Sequence, residues 1–248
     1  MLKPFILLVL LSTLSFSASA NLSLSKFRLY FDQSNRTDAL QIRNRADRPL
    51  DYSIELGLVA MTEEGTLRTV QSDPFSAIDL MRYSPRRGRL APGERQALRF
   101  SVRKPASLPE GEYRAVLKIS SVPVNTSTGS VAVQSKLSYS LPIVVRHGRL
   151  SASTELTDVK MVTVDNTPSL EIWQLLEGNR SVFGNFIVED DDGNEVGVLN
   201  NSAVYLPLTR KKVIIPLSQK VTGKITVKYD ENAEYGGSEK AEISLTID

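Results

Sequence analysis

The segment 129–145, GSVAVQSKLSYSLPIVV, constrains the fold most strongly, because it has the pattern of an unusually long β-strand. Apolar side chains recur at every second position, interrupted by Ser135, and so share one side of an extended chain. They are Val131, Val133, Leu137, Tyr139 and Leu141. The segment exceeds the usual strand length of about five or six residues. A long apolar strand at a sheet edge promotes aggregation unless another chain pairs with it.

The rest of the first half shows the same alternation in shorter runs. Residues 50–58 alternate strictly between apolar and polar side chains, which is typical of a half-buried strand. Similar runs occur at 27–31, 40–42, 98–103 and 113–119, a turn is expected at 63–65, and residues 75–81 fit a short turn of helix. About seven short strands separated by turns indicate an immunoglobulin-like β-sandwich.

The second half forms another run of strands after the basic break RHGR at 146–149. Strand patterns occur at 156–164, 169–176, 181–189, 195–199, 212–217, 224–229 and 241–247. This unit has roughly a hundred residues, enough for a core of its own. We therefore predict an all-β protein of two immunoglobulin-like domains, residues 21–147 and 148–248, joined by a short basic hinge.

The first twenty residues have the pattern of a cleaved secretory signal. Lys3 supplies the positive charge, residues 5–11 are apolar, and Ala18-Ser19-Ala20 fits the cleavage site. The mature chain is expected to begin at Asn21, outside the cytoplasm and without stable membrane insertion. The chain has no cysteine, so disulfides and a lipoprotein anchor are excluded. These features suit a bacterial periplasm at least as well as a eukaryotic exterior.

Composition and motifs argue against catalysis and against nucleic-acid binding. The formal net charge is only +2, and the single histidine, His147, lies in the hinge without triad partners. Asp190, Asp192 and Asn194 have the alternate spacing of calcium ligands, but Gly193 is misplaced for an EF-hand and no glutamate closes the loop. We therefore expect no catalytic residue, no metal site, no cofactor and no nucleic-acid partner, and we interpret 189–195 as a solvated hairpin tip.

The segment 84–99, SPRRGRLAPGERQALR, combines proline, P-G-E and alternation. It resembles the proline and P-G-E segment of one family of binding proteins, the PapD-like periplasmic chaperones of pilus assembly. Residues 108–114, LPEGEYR, resemble the following strand of its non-classical branches, residues 27–32 its first strand, and residues 131–146 its G1 strand. The resemblance covers most of residues 21–148.

The resemblance implies a boomerang of two immunoglobulin-like domains that acts without catalysis. In this family the G1 strand completes the sandwich of a pilus or fimbrial subunit by donor-strand complementation. Two basic residues in the cleft hold the carboxylate at the C-terminus of the subunit, and a pore-forming outer-membrane usher receives the complex. The expected partners are therefore a subunit and an usher.

The resemblance also assigns residues. Val131, Val133, Leu137 and Tyr139 would be the donated side chains of the G1 strand. Arg28 would bind the carboxylate, since a guanidinium suits bidentate capture of that group.

A second basic residue is harder to place. Pro142 stands where classical members carry a lysine, and Lys136, which has the same side-chain direction, lies roughly 20 Å earlier along an extended strand. Lys136 is the weaker of the two carboxylate-binding candidates. For Arg28, a solvent-facing charge on an edge strand is the alternative. For the whole chain, the alternative is an exported two-domain adhesin or surface-assembly component without chaperone activity.

Overall fold

The computed structural model describes residues 22–124 and 136–247. The predicted signal peptide 1–20, Asn21, Val131 and Val133 lie outside these residues. The described residues form seventeen β-strands and no α-helix. They build two β-sandwiches, one from the strands before residue 148 and one from the strands after residue 151.

The first sandwich contains ten strands. In chain order they are β1 (Leu22–Leu24), β2 (Leu29–Phe31), β3 (Thr37–Asn44), β4 (Leu50–Met61), β5 (Leu67–Val70), β6 (Met81–Ser84), β7 (Arg87–Leu90), β8 (Arg95–Val102), β9 (Gly111–Pro123) and β10 (Leu137–His147). One sheet has the order β1-β3-β8-β6. The other has the order β2-β10-β9-β4-β5, and β7 also pairs with β4.

The core of the first sandwich is built from alternate residues of these strands, as the sequence pattern predicts. On β4, Leu50, Tyr52 and Ile54 are buried, while Asp51 and Glu55 on the opposite face are exposed. Equivalent positions on β3, β8, β9 and β10 contribute to the same cluster. Burying each large apolar side chain contributes about 1.5–3 kcal/mol, so the alternation determines which face of each sheet turns inward.

The first strand of the chain is divided between the two sheets. β1 pairs antiparallel with β3, whereas β2 pairs parallel with β10. The parallel register is short, because Leu29 lies opposite Ile143 and Phe31 opposite Val145. β2 therefore covers only one end of β10.

The second sandwich contains seven strands. They are β11 (Ala152–Val164), β12 (Thr167–Gly178), β13 (Val182–Asp190), β14 (Glu195–Val204), β15 (Arg210–Pro216), β16 (Gly223–Glu231) and β17 (Lys240–Ile247). One sheet has the order β11-β12-β15 and the other β14-β13-β16-β17. Its core is separate from the first, and the rings of Phe186 and Tyr229 meet in it with centroids 4.9 Å apart.

The predicted fold class, all-β with two immunoglobulin-like sandwiches, is confirmed. A single 3-10 turn, Ile78–Leu80, occupies the segment where a short helical turn was expected. The tip at 189–195 is an exposed hairpin turn, in which the Asp190 carboxylate accepts hydrogen bonds from the backbone N–H groups of Asp192 and Asn194. The side-chain amide of Asn194 also donates to this carboxylate, and that bond, together with the backbone bonds, holds the pKa of the Asp190 carboxyl below its usual value.

Arg146, at the end of β10, joins the two sandwiches. Its Nε donates to Glu112 Oε2 of the first sandwich (3.2 Å). Its Nη1 donates to the carbonyl of Gly236 (2.8 Å) and its Nη2 to that of Ser181 (3.1 Å) in the second. Glu112 is 2% exposed and also accepts from the Ser181 N–H at 3.1 Å. Because Glu112 and Ser181 are buried, their hydrogen bonds fix how the sandwiches meet.

A second contact between the sandwiches comes from the turn between β4 and β5. The carbonyl of Glu63 accepts a hydrogen bond from the Lys212 N–H (2.7 Å), and its carboxylate pairs with Arg210 Nε (3.0 Å). Both of these side chains are well exposed, so the ion pair itself stabilises little. The backbone bond makes the β4–β5 hairpin one wall of the interdomain cleft.

A test of the second core is a methyl group at Gly184 on β13. A Cβ there would overlap the backbone carbonyl oxygen of Asp230 on β16, whereas a Cβ at Gly57 on β4 meets nothing within 4 Å. We expect Gly184→Ala to lower the free energy of unfolding by about 1–3 kcal/mol, and Gly57→Ala to change it by less than about 0.5 kcal/mol. Urea denaturation followed by circular dichroism measures both, and equal losses would contradict the packing described.

A test of the interdomain contact is Arg146→Ala. The substitution leaves the buried Glu112 carboxylate without its cation, which costs about 3–5 kcal/mol for a buried pair. We expect a lower melting temperature and a wider distribution of interdomain angles by small-angle scattering. Arg149→Ala, at an exposed hinge arginine, is the matched control and should change neither. An unaltered scattering curve for Arg146→Ala would show that other contacts orient the sandwiches.

Candidate functional site

The most unusual backbone feature is an open edge on β10. β9 pairs with β10 along its whole length, from Leu137 opposite Ser121 to His147 opposite Gly111. On the other side β2 pairs with Ile143–Val145 alone. Within residues 22–124 and 136–247, no strand pairs with the outer edge of 137–141. Unpaired N–H and C=O groups on such an edge can accept a strand from another chain.

The side chains along this open edge alternate as predicted. Leu137 and Tyr139 are half-buried, and Ser138 and Ser140 between them are exposed. Tyr139 packs on the first core, and its hydroxyl donates to the Leu22 carbonyl at 2.7 Å. Of the four predicted donor residues, Leu137 and Tyr139 are thus on one side of this edge, and the other two fall outside the described residues.

Arg28 lies at the point where the open edge ends. It directly precedes Leu29, which is opposite Ile143. Leu29 and Phe31 face the first core, so Arg28 faces the opposite way, toward the second sandwich. The residue is 6% exposed, which excludes the solvent-facing alternative for this arginine.

The surroundings of Arg28 are aromatic. Its guanidinium carbon lies 4.1 Å from the ring centroid of Phe183, 5.6 Å from that of Tyr205 and 5.7 Å from that of Tyr235. Nη1 donates to the Tyr205 hydroxyl at 2.9 Å, and Nε is buried without a partner. Aromatic faces stabilise the cation only partly, by about 0.5–2 kcal/mol.

The phenols of the cleft add no negative charge beside this arginine. Burial raises the pKa of Tyr30 and of Tyr235 above the ordinary value for tyrosine. Both therefore stay protonated at neutral pH. Arg28 also forms no ion pair with any carboxylate in the described part of the chain. The result is a buried cation at the end of an open strand edge, which favours binding of an anion there.

Arg114 is a second cation in the cleft, and sequence reasoning did not select it. It lies on β9 opposite Val144 of β10, and directly opposite residues share one face of a sheet. Its guanidinium carbon is 5.4 Å from the ring centroid of Tyr205, and its Nη2 is 3.6 Å from Asp73 Oδ2. The only available signal was its place in the segment 108–114, which pointed to a branch of the family and not to a role for this side chain.

Lys136 is exposed and lies at the other end of β10 from Arg28. It lines a shallow groove with Tyr52 and Gly88. The distance from Lys136 to Pro142 along the strand is roughly 20 Å, so the structure does not bring Lys136 and Arg28 together. The register of β10 keeps them apart, because β10 runs straight along β9 without a bulge.

Other kinds of site receive no support from the described residues. Within them there is no group of three or more His, Cys, Asp or Glu side chains that could hold a metal ion. No helix in the described part is long and apolar enough to cross a membrane.

Comparisons with known proteins identify the fold but not a family by sequence. No protein-family model matches the chain, and no curated protein matches it. Among solved structures, a chain of the CsuC–CsuE chaperone–tip adhesion subunit pre-assembly complex, from archaic chaperone-usher Csu pili of Acinetobacter baumannii, aligns at 12% identity with a TM-score of 0.50. The alignment covers 92% of this chain and 100% of that one.

Two further structures give similar values. The CupB2 chaperone of Pseudomonas aeruginosa aligns at 14% identity and a TM-score of 0.49, over 91% of this chain and all of that one. The E. coli chaperone DraB aligns at 16% identity and a TM-score of 0.48, over 90% and 98%. At these identities the similarity concerns the fold alone. The match to the Csu complex shows that this chain has the fold of a chain from a chaperone–subunit complex.

Proposed function

We propose that the protein is a non-enzymatic periplasmic chaperone, which binds pilus or fimbrial subunits by donor-strand complementation and delivers them to an outer-membrane usher. The observation that carries the proposal is the open edge of β10 at 137–141, which ends beside the buried Arg28 in the interdomain cleft. An extended segment of a subunit would add to this edge as a further strand of the sheet.

The energetics of strand addition suit this edge. Each new backbone hydrogen bond contributes about 0.5–1.5 kcal/mol, and each apolar side chain buried in the subunit adds about 1.5–3 kcal/mol. Leu137 is proposed to contribute such a side chain. Val131 and Val133 extend the same alternation in the sequence and are proposed as donors on that ground.

Arg28 is proposed to bind the carboxylate at the C-terminus of the subunit. A strand added parallel to β10 along 137–141 would point its C-terminus toward Pro142, where β2 begins. Arg28 lies at that junction, and its buried Nε has no hydrogen-bond partner. This cation is therefore available to bind an anion. A charge-assisted hydrogen bond at this place would fix the register of the added strand.

Two further lines support the proposal. The fold matches a chain from a complex between a chaperone and a tip adhesion subunit, and that complex belongs to a chaperone-usher system. The signal-peptide pattern at 1–20 agrees with a periplasmic location. Delivery to an usher rests on the family resemblance of residues 21–148.

The strand-donation step is tested by charging the donor residues. The triple variant Val131→Asp, Val133→Asp, Leu137→Asp would place carboxylates in the apolar groove of a subunit, where an unpaired buried charge is strongly unfavourable. We expect the wild-type protein, purified from the periplasm, to co-elute with a small β-rich subunit in equal amount, and the variant to lose it. The triple variant Ser153→Asp, Thr163→Asp, Thr246→Asp adds the same three negative charges at exposed positions of the second sandwich, away from the open edge, and is the control.

Circular dichroism must show both triple variants to be folded. Normal recovery of the subunit with the donor variant would contradict strand donation. If no subunit co-elutes with the wild-type protein, the result favours the alternative, an adhesin or surface-assembly component.

The carboxylate step is tested on the partner and on Arg28 in parallel. Removing the last residues of the co-eluting subunit, or adding a short tail to them, shifts its carboxylate away from the cleft, so we expect capture to fall by about tenfold or more. Arg28→Ala should cause a similar loss with the intact subunit. An adhesin that needs no free carboxylate would bind the truncated partner as well as the intact one.

A further inference from the structure

Arg114 and the apolar pocket beside it form a second feature of the cleft that the proposed function does not use. The pocket lies between the β4–β5 hairpin and the cleft-facing side of β9 and β10. Its apolar lining includes Leu58, Leu67, Val116, Pro142 and Val144, and its polar lining is Arg114, Asp73 and Tyr205. The pocket exists because β4 leaves β9 after Gly57 to pair with β5.

The two cleft arginines flank β10 from opposite sides at nearly the same level. Arg28 precedes Leu29, the partner of Ile143, and Arg114 is the partner of Val144 on the other side. Neighbouring strands lie about 4.8 Å apart, so the two Cα atoms are separated by roughly two strand spacings. Both side chains approach the ring of Tyr205. A group that reaches the cleft face above Pro142 therefore lies between two cations.

Asp73, the existing partner of Arg114, leaves this arginine available to an anion that binds it more closely. Its Nη2 is 3.6 Å from Asp73 Oδ2, longer than the usual 2.7–2.9 Å of a charge-assisted hydrogen bond. The other oxygen, Asp73 Oδ1, already accepts from the Phe75 N–H at 2.8 Å. The Nε of Arg114 is buried without a partner. Asp73 thus holds the arginine loosely, through an oxygen that could be displaced.

We propose that this pocket recognises the last residue of the bound subunit, with Arg114 as the second carboxylate-binding group and the apolar lining as the site for the terminal side chain. The inference rests on the proposed function and names the chemistry of the segment that the cleft accepts: a free α-carboxylate on an apolar residue. The position of the pocket, directly past the open edge of β10, makes it continuous with the surface proposed for strand addition. Among the described residues, Arg28 has no carboxylate partner and Arg114 holds only the distant Asp73, so this part of the cleft has a positive excess that matches such a terminus.

Pro142 has a specific place in this arrangement. It lies opposite Val116 and lines the floor of the pocket between the two arginines. A charged side chain at 142 would fill the space that the terminal side chain is proposed to occupy. The cation comes instead from Arg114 on the neighbouring strand, and Lys136 is not needed for the site.

The experiment uses short synthetic peptides of alternating valine and threonine that end in alanine, with either a free carboxylate or an amide at the C-terminus. Calorimetry with the full mature chain measures their affinities. We expect the free acid to bind about tenfold or more tighter than the amide, and Arg114→Ala to remove that difference. Arg114→Lys should restore part of it, because lysine keeps the charge but not the bidentate geometry. Arg99→Ala, an exposed arginine of β8, is the matched control and should bind like the wild type.

Two more variants separate a binding role from a structural one. Asp73→Asn removes the internal competitor, so we expect it to tighten binding of the free acid by about twofold to tenfold. Leu67→Ser changes a pocket residue that is 47% exposed and should reduce the preference for a terminal alanine over a terminal glycine. Ile187→Ser, an exposed apolar residue outside the cleft, should leave that preference intact.

The outcomes distinguish this inference from the proposed function. Equal binding of acid and amide by the wild type, or an unchanged preference in Arg114→Ala, overturns the role of Arg114 even if subunits still co-elute. Failure of either peptide to bind overturns the pocket as a terminus site. Normal recovery of the subunit with the donor variant, together with an intact peptide preference, overturns strand donation and leaves the pocket standing.

Discussion

The parallel pairing of β2 with three residues of β10 determines most of what is unusual in this molecule. Because β2 joins β10 only at Ile143–Val145, the rest of the outer edge of β10 stays open. The same pairing turns Leu29 and Phe31 into the first core and therefore turns Arg28 toward the second sandwich. A longer β2 would close the edge and displace the arginine from its end. The open edge and the buried cation thus have one cause, the position at which the chain crosses from one sheet to the other.

The interdomain cleft concentrates three arginines in two different roles. Arg146 is fully engaged, since its donors reach Glu112 and two carbonyls across the sandwich boundary. Arg28 and Arg114 have fewer partners, and each retains a buried Nε without a hydrogen bond. Desolvated charges without complete pairing destabilise the free protein. Arg146 therefore holds the sandwiches together, whereas Arg28 and Arg114 are available to an incoming anion.

The alternation of apolar residues was enough to predict the strands, the two sandwiches and the apolar side of β10, because burial of one sheet face depends on local sequence. It could not predict Arg114, whose role depends on which residue lies across from it on β10 and on a tyrosine from the second sandwich. Lys136 was selected from its side-chain direction alone, and its distance from Arg28 follows from the register of β10 on β9. The sequence therefore predicts which face of each strand is buried. Which side chains from different strands come together depends on tertiary contacts.

The long pairing of β9 with β10 has a consequence for the speed and strength of association. Eleven residue pairs hold β10 extended, and the Tyr139 hydroxyl ties it to β1 as well. The template at 137–141 is therefore rigid before any partner arrives, and only the incoming segment loses conformational entropy when it docks. Such preorganisation strengthens binding without additional contacts. It also means that the protein holds its exposed edge in one conformation, so that collision with a disordered segment can lead directly to pairing in a single register.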